Sequence, residues 1–161
     1  MNIALLTHEF ALAGIALLIF ILDLSGAGKK VTGRVFTFSM LALLVYVALS
    51  RKDGVILNGA YTADGISWFA KLIFLSGAFL TGMLSTDTLK LSDKRAGAYY
   101  FLLASSVLGM MFLASSKELI TLYVSLELAT ISLYALAAIY REEVLSLEAG
   151  IKYLILDGVL G

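Results

Sequence analysis

Long apolar runs alternating with short polar connections constrain this chain more than any other feature. A helix needs about 20 mostly apolar residues to cross a bilayer. Five stretches approach or meet that length: residues 3–24, whose core 10–22 is free of charge; 35–50, short and uncharged; 66–85, with Lys71 alone; 98–116, uncharged; and 119–140, with Glu127 alone. A sixth begins near Leu147 and continues for fifteen residues to Gly161. In lipid only helices or closed barrels satisfy every backbone group, and runs this long lack the two-residue alternation of barrel strands. The expected fold is therefore all-α: a polytopic transmembrane bundle of five full helices plus the start of a sixth. A last helix ending inside the bilayer would leave carbonyls in hydrocarbon at several kcal/mol each. The chain is expected to be a fragment, or one completed by neighbours.

Composition narrows the function classes. Sixty per cent of the residues are hydrophobic and 15% are charged, against about 45–50% and about 25% in ordinary soluble domains. The 12 basic and 12 acidic residues cancel, so there is no electrostatic footprint for nucleic acid. The absence of Cys excludes disulfides, thiolate nucleophiles and Cys-ligated clusters, and one His, His8, is too few for a His-based metal site. No G-x-G-x-x-G follows a strand pattern. No redox cofactor is expected on this chain.

The loops set the orientation. Lys29, Lys30, Arg34, Lys90, Lys94, Arg95 and Arg141 flank the first, third and fifth connections, whereas Arg51, Lys52 and Lys117 flank the others, a bias of seven to three. The positive-inside rule places the N-terminus outside. The first helix lacks a basic leader and carries its positive flank behind it, so it reads as a retained span and not a signal peptide. The one sizeable loop, 51–65, is polar and shows no cofactor motif.

Charges within spans are costly, roughly 2.5–3.5 kcal/mol at a helix centre. Glu127 lies about 13 Å into the fifth helix at 1.5 Å per residue, near mid-bilayer. Tyr123, Thr130 and Tyr134 share its face, and Leu122, Leu126, Leu133 and Leu136 take the opposite positions. A polar stripe around a desolvated carboxylate suits proton handling; a structural bond to a neighbouring helix is the alternative. Lys71 either serves such a site or snorkels to the interface. Glu148 and Lys152 are spaced i,i+4 in the favourable order, as surface decoration or as a proton-loading pair at a helix mouth. Asp157 is off their face and deeper, so it must meet other helices or water. His8 and Glu9 are expected at the interface. Ser105 with Gly109, and Ala78 with Gly82, can let helices approach closely.

The run Gly97-Ala98-Tyr99-Tyr100, then Leu108-Gly109-Met110-Met111-Phe112-Leu113-Ala114-Ser115-Ser116-Lys117-Glu118-Leu119-Ile120-Thr121-Leu122-Tyr123, with Leu126-Glu127-Leu128 and Ser132-Leu133-Tyr134-Ala135-Leu136, resembles the subunit N family of the proton-pumping NADH:quinone oxidoreductase, respiratory complex I. Glu148-Ala149-Gly150-Ile151-Lys152-Tyr153 is similar to that family's sixth-helix opening. Asp64-Gly65-Ile66-Ser67 with Phe69 and Lys71 is similar to its third helix, and Glu9 with Leu22-Asp23-Leu24 to its first. The resemblance covers nearly the whole chain and is densest over residues 97–153.

It implies an antiporter-like subunit built of two inverted repeats with broken helices, related to sodium/proton antiporter subunits. Residues 1–96 would hold the N-terminal helices 1–3 and their loops. Residues 97–161 would hold the start of the first repeat, helices 4–6, ending before the seventh helix and its partner Lys. Glu127 matches the family's fifth-helix Glu, and Glu148 and Lys152 lie on its proposed proton-loading path. Two departures stand out: Ser132 replaces a frequent Pro, which should leave helix five straighter, and Asp157 replaces a small residue. The implied activity is proton translocation coupled to quinone reduction, with NADH, FMN, iron–sulfur clusters and quinone held by partner subunits. The implied partners are the other membrane subunits, antiporter-like homologues among them, and the lipid bilayer, in a bacterial inner membrane. The alternative is a sodium/proton antiporter or hydrogenase-linked ion pump of the same fold. A fragment needed only for assembly is a third possibility, distinguished by whether Glu127→Gln changes turnover.

Overall fold

A computed structural model describes residues 3–88, 93–139 and 144–160. After a 3-10 turn, Ile3–Leu6, the elements are α1 (Thr7–Leu24), α2 (Lys29–Leu49), β1 (Gly54–Ile56), β2 (Tyr61–Ala63), α3 (Gly65–Thr88), α4 (Asp93–Ser115), α5 (Leu119–Ala137) and α6 (Val144–Leu160). Among the described residues, α1 (extended by its preceding turn) to α5 are long and apolar enough to span a bilayer. The expected all-helical bundle is the fold observed.

Several boundaries differ from the expectation. The second helix begins at Lys29, not at Val35, and the fourth at Asp93, not at Ala98. The sixth begins at Val144, and the fifth ends at Ala137, short of Tyr140, which lies outside the described residues. Apolar runs mark only the hydrocarbon portion. A helix continues into the headgroup layer, where Lys and Arg keep their heads hydrated, so Lys29, Lys30 and Arg34 sit on the first turns of α2. The connection from α1 shrinks to a tight turn in which Gly26 takes φ 76°, a left-handed conformation open to glycine.

Helix α4 is the centre of the bundle, touching α1, α2, α3 and α5, while α6 packs on α5. Leu12, Ile19, Phe36, Met40, Leu75 and Met111 are fully enclosed between these helices. Large side chains such as Leu17, Phe38, Leu80 and Ile131 point outward, as expected of helices whose solvent is lipid. Several buried hydroxyls bond back to their own helices, for example Ser106 Oγ to the Leu103 carbonyl at 2.9 Å and Ser132 Oγ to the Leu128 carbonyl at 2.8 Å, so these need no partner in the hydrocarbon.

Among the described glycines, Gly109 makes the closest approach to another helix's backbone. A Cβ there would lie 2.6 Å from the Ala129 backbone nitrogen and 2.9 Å from the Ser125 carbonyl oxygen. Facing it, Ser125, Ala129 and Ser132 form the buried stripe of α5. The expected role of Gly109 as a close-packing residue matches this geometry. Because both obstacles are backbone, Gly109→Leu is expected to separate α4 from α5 and cost about 1–3 kcal/mol. The check is a lower detergent-unfolding midpoint for the full-length protein carrying the substitution; an unchanged midpoint would refute the close approach.

The polar loop expected at 51–65 is a structured cap. Strands β1 and β2 pair antiparallel, Gly54 opposite Ala63 and Ile56 opposite Tyr61. Ala60 accepts a hydrogen bond from the Lys117 backbone nitrogen at 2.9 Å, and Tyr61 bridges to Ser116. The hairpin, the chain's first turn and the α4–α5 connection therefore share one end of the bundle. Its pairing escaped the sequence reading because two three-residue strands carry too few residues to show a period. Asp64 caps α3: its Oδ1 accepts the Ser67 backbone N–H at 2.8 Å, and Ser67 Oγ accepts the Asp64 N–H at 2.9 Å. That backbone bond holds the Asp64 carboxyl below its ordinary range. The cap is thus complete at neutral pH and lost as pH falls through the lowered value.

Candidate functional site

Helix α5 brings Glu127, Thr130, Tyr123 and Tyr134 to one side, as the 3.6-residue period requires. Glu127 is half-buried and Tyr123, beside its carboxylate, is exposed. Glu127, expected near mid-bilayer on a polar stripe, lies on the side of α5 that borders α6. The interior side of α5 is the stripe Ser125–Ala129–Ser132, small residues at helical spacing whose meaning depends on Gly109 opposite. Leu122, Leu126 and Leu133 point outward. Thr130 turns its hydroxyl to the Leu126 carbonyl, 3.0 Å away.

Across the seam, the Tyr134 and Tyr153 rings lie 5.9 Å apart at 30°, and the Tyr134 hydroxyl lies beside the Asp157 carboxylate. Asp157, which had no assigned partner in the sequence, therefore meets the same polar stripe as Glu127. A helical wheel of α6 alone would not reveal this, because the stripe belongs to α5. Glu127 beside Tyr123 and Asp157 beside Tyr134 therefore place two carboxylates and two phenols along one side of the seam.

Glu148 and Lys152 form the expected pair, Nζ to Oε1 at 2.5 Å, with side chains 49% and 67% exposed. At that exposure the pair contributes a few tenths of a kcal/mol. Both side chains lie on the exposed side of α6.

Lys71 does not join this group, and it does not snorkel. It lies at the hairpin end, 2% exposed, with Nζ 2.6 Å from Glu9 Oε1. Glu9, expected at the interface, is 1% exposed, and His8 is also buried, its Nε2 3.0 Å from Ser50 Oγ. The cause of both corrections is the hairpin, which roofs this end and keeps solvent out. From β2 the Tyr61 hydroxyl donates to Glu9 Oε1 at 2.8 Å and accepts from Lys71 Nζ at 2.9 Å. Burial, reinforced by the Glu9 carboxylate, pushes the Tyr61 phenol well above its ordinary range, so it stays a donor at neutral pH. Tyr61 is the polar residue the sequence reading missed, together with the pairing of Glu9 and Lys71. Lys71 had stood out as the lone charge of its apolar run and Glu9 as an interfacial residue, but nothing local in either helix points to the other.

Among the described residues no three His, Cys, Asp or Glu side chains gather as metal ligands, and the chain has no Cys to bind an iron–sulfur cluster.

Residues 116–159, which hold Glu127, Glu148, Lys152 and Asp157, match the family model described as NADH:quinone oxidoreductase/Mrp antiporter, TM. NADH-quinone oxidoreductase subunit N of Moorella thermoacetica is 37% identical over 160 residues, covering 98% of this chain and 34% of that protein. The chain belongs to this family. Subunit N of Bacillus anthracis is 36% identical over 164 residues, covering 96% of this chain and 31% of that protein. Among solved structures, a chain of respiratory complex I from Thermus thermophilus with bound aureothin superposes with a TM-score of 0.78 at 27% identity, over 94% of this chain and 33% of that one. The chain thus spans about a third of the length of the family members it matches, and it is a multi-pass membrane protein.

Proposed function

We propose that this chain is part of a membrane-arm subunit that moves protons across a bacterial inner membrane as partner subunits oxidise NADH and reduce quinone. The α5–α6 seam supports the reading: Glu127 beside Tyr123 and Asp157 beside Tyr134 lie on two packed helices, with the Glu148–Lys152 ion pair on α6. Glu148 and Lys152 load protons from water, Tyr123, Thr130 and Tyr134 line the way, and Glu127 changes protonation as neighbouring charges shift. Lys71 does not belong to this route. FMN, iron–sulfur clusters and quinone belong to the partner subunits, antiporter-like homologues among them. The test is Glu127→Gln in the assembled complex, read as proton yield and turnover at constant complex abundance.

The family description also names Mrp antiporters, which supports ion exchange without redox partners as the second reading. Native separation of the source membranes distinguishes them. Co-migration with flavin and iron–sulfur subunits favours the first, and co-migration with antiporter subunits alone favours the second.

The proposed topology places the N-terminus and hairpin outside. With no native Cys, single cysteines report sidedness directly. Val55→Cys on the exposed hairpin is expected to react with a membrane-impermeant maleimide in intact cells, and Lys30→Cys only after permeabilisation. The reverse pattern would invert the topology.

A further inference from the structure

We propose that Glu9, Tyr61, Lys71 and Ser115 form a second proton-holding site, separate from the α5–α6 seam and served by a water molecule beneath the hairpin. The inference rests on the proton-translocating reading above and adds a place where a proton is held near the hairpin face.

Four elements meet there: Glu9 on α1, Tyr61 on β2, Lys71 on α3 and Ser115 at the end of α4. Glu9 Oε1, the Tyr61 hydroxyl and Lys71 Nζ close a three-membered loop with sides of 2.6, 2.8 and 2.9 Å. That loop uses only one carboxylate oxygen. Glu9 Oε2 is buried without a hydrogen-bond partner among the described residues, and the buried Ser115 Oγ, which makes no hydrogen bond of ordinary geometry there, lies beside the Tyr61 hydroxyl. A buried polar atom left without a partner is destabilising. A structural pin would gain nothing from leaving it so. A water bonded to Glu9 Oε2 removes that cost and supplies the route by which a proton reaches the carboxylate. Of the charged and titratable groups at this end, His8 is turned to Ser50 within electrostatic reach of Glu9 and Lys71, Lys52 is turned to the Ala4 carbonyl and Thr7, and Arg51 pairs with Asp53 and Lys117 with Asp64.

The exchange balances simply. With Glu9 as carboxylate and Lys71 as ammonium the pair is neutral. A proton delivered by the water to Oε2 gives the carboxylic acid beside the ammonium, and its return to the water restores the pair. Tyr61 keeps its own proton and reorients its donation. An added positive charge in so dry a place is unstable unless an opposing charge approaches, so occupancy responds to the charge state of neighbouring elements.

The experiment uses the assembled oxidoreductase and infrared difference spectra taken with and without NADH turnover. Wild type is expected to show the carbonyl stretch of a protonated carboxyl that shifts in Glu9→Asp and is lost in the double variant Glu9→Gln/Lys71→Met, whose proton-to-electron ratio falls. The double variant removes both charges, so the complex is expected to assemble even where a single variant does not. A spectrum unaltered by Glu9→Asp, or a double variant with the wild-type ratio, overturns the proposal and leaves a structural pin. Glu127→Gln run in parallel separates the two failures. Its lack of effect would sink the translocation reading, whereas the Glu9 band is read independently.

Discussion

Glu127→Gln is expected to stop coupled proton translocation while the complex stays assembled. Glutamine keeps the shape of the side chain and its place beside Tyr123 but cannot take or give a proton. A positioned proton-transfer group contributes about a hundredfold at the lower end of the usual range, so turnover is expected to fall by about that factor. Glu127 is only half-buried at the α5–α6 seam, so loss of the charge leaves no orphan in a packed core, and the amount of assembled complex is expected to hold. Glu127→Asp, with a carboxyl on a shorter arm, is expected to retain part of the activity. The measurements are proton uptake by vesicles and quinone reduction normalised to complex abundance. Unchanged turnover at unchanged abundance would reduce Glu127 to a structural residue.

Lys71→Met carries the largest expected effect on stability. It leaves the Glu9 carboxylate buried, its remaining protein donor being Tyr61 at 2.8 Å. Removing one partner of a buried pair costs about 3–5 kcal/mol, whereas replacing both by groups of similar volume is often close to neutral. The single variant should therefore unfold at a markedly lower detergent concentration, and Glu9→Gln/Lys71→Met should recover most of the loss. The cost falls on the whole hairpin end, because the same pair ties α1 to α3 and, through Tyr61, to β2. If the double variant is as weak as the single, the charges are not the source of the effect.

Both effects follow from where charges sit relative to the bundle, and the chain's two charged sites differ in how far they can be read locally. Glu127, Thr130 and Tyr134 lie within two turns of one helix, and so do Glu148 and Lys152. Helical periodicity alone brings each set to one face, and the family resemblance singles out Glu127, Glu148 and Lys152. Asp157 acquires its partner only when α6 is laid against α5, since the tyrosine it meets lies on the other helix.

The five spans were legible because bilayer thickness and the cost of charge in hydrocarbon act on consecutive residues, and a run of apolar side chains records both directly. Their ends were less so: a helix passes through the headgroup layer where charge is cheap, and α2 accordingly begins at Lys29. What faces inward was decided by packing. The Ser125–Ala129–Ser132 stripe is interior because Gly109 lets two backbones meet there. The Glu9–Lys71 pair is interior because a short hairpin folds over it. Apolar burial and helix formation are properties of neighbouring residues and appear in the sequence itself. An ion pair joining separate helices under a cap of two three-residue strands exists only once the chain has closed, and only the tertiary structure assigns its partners.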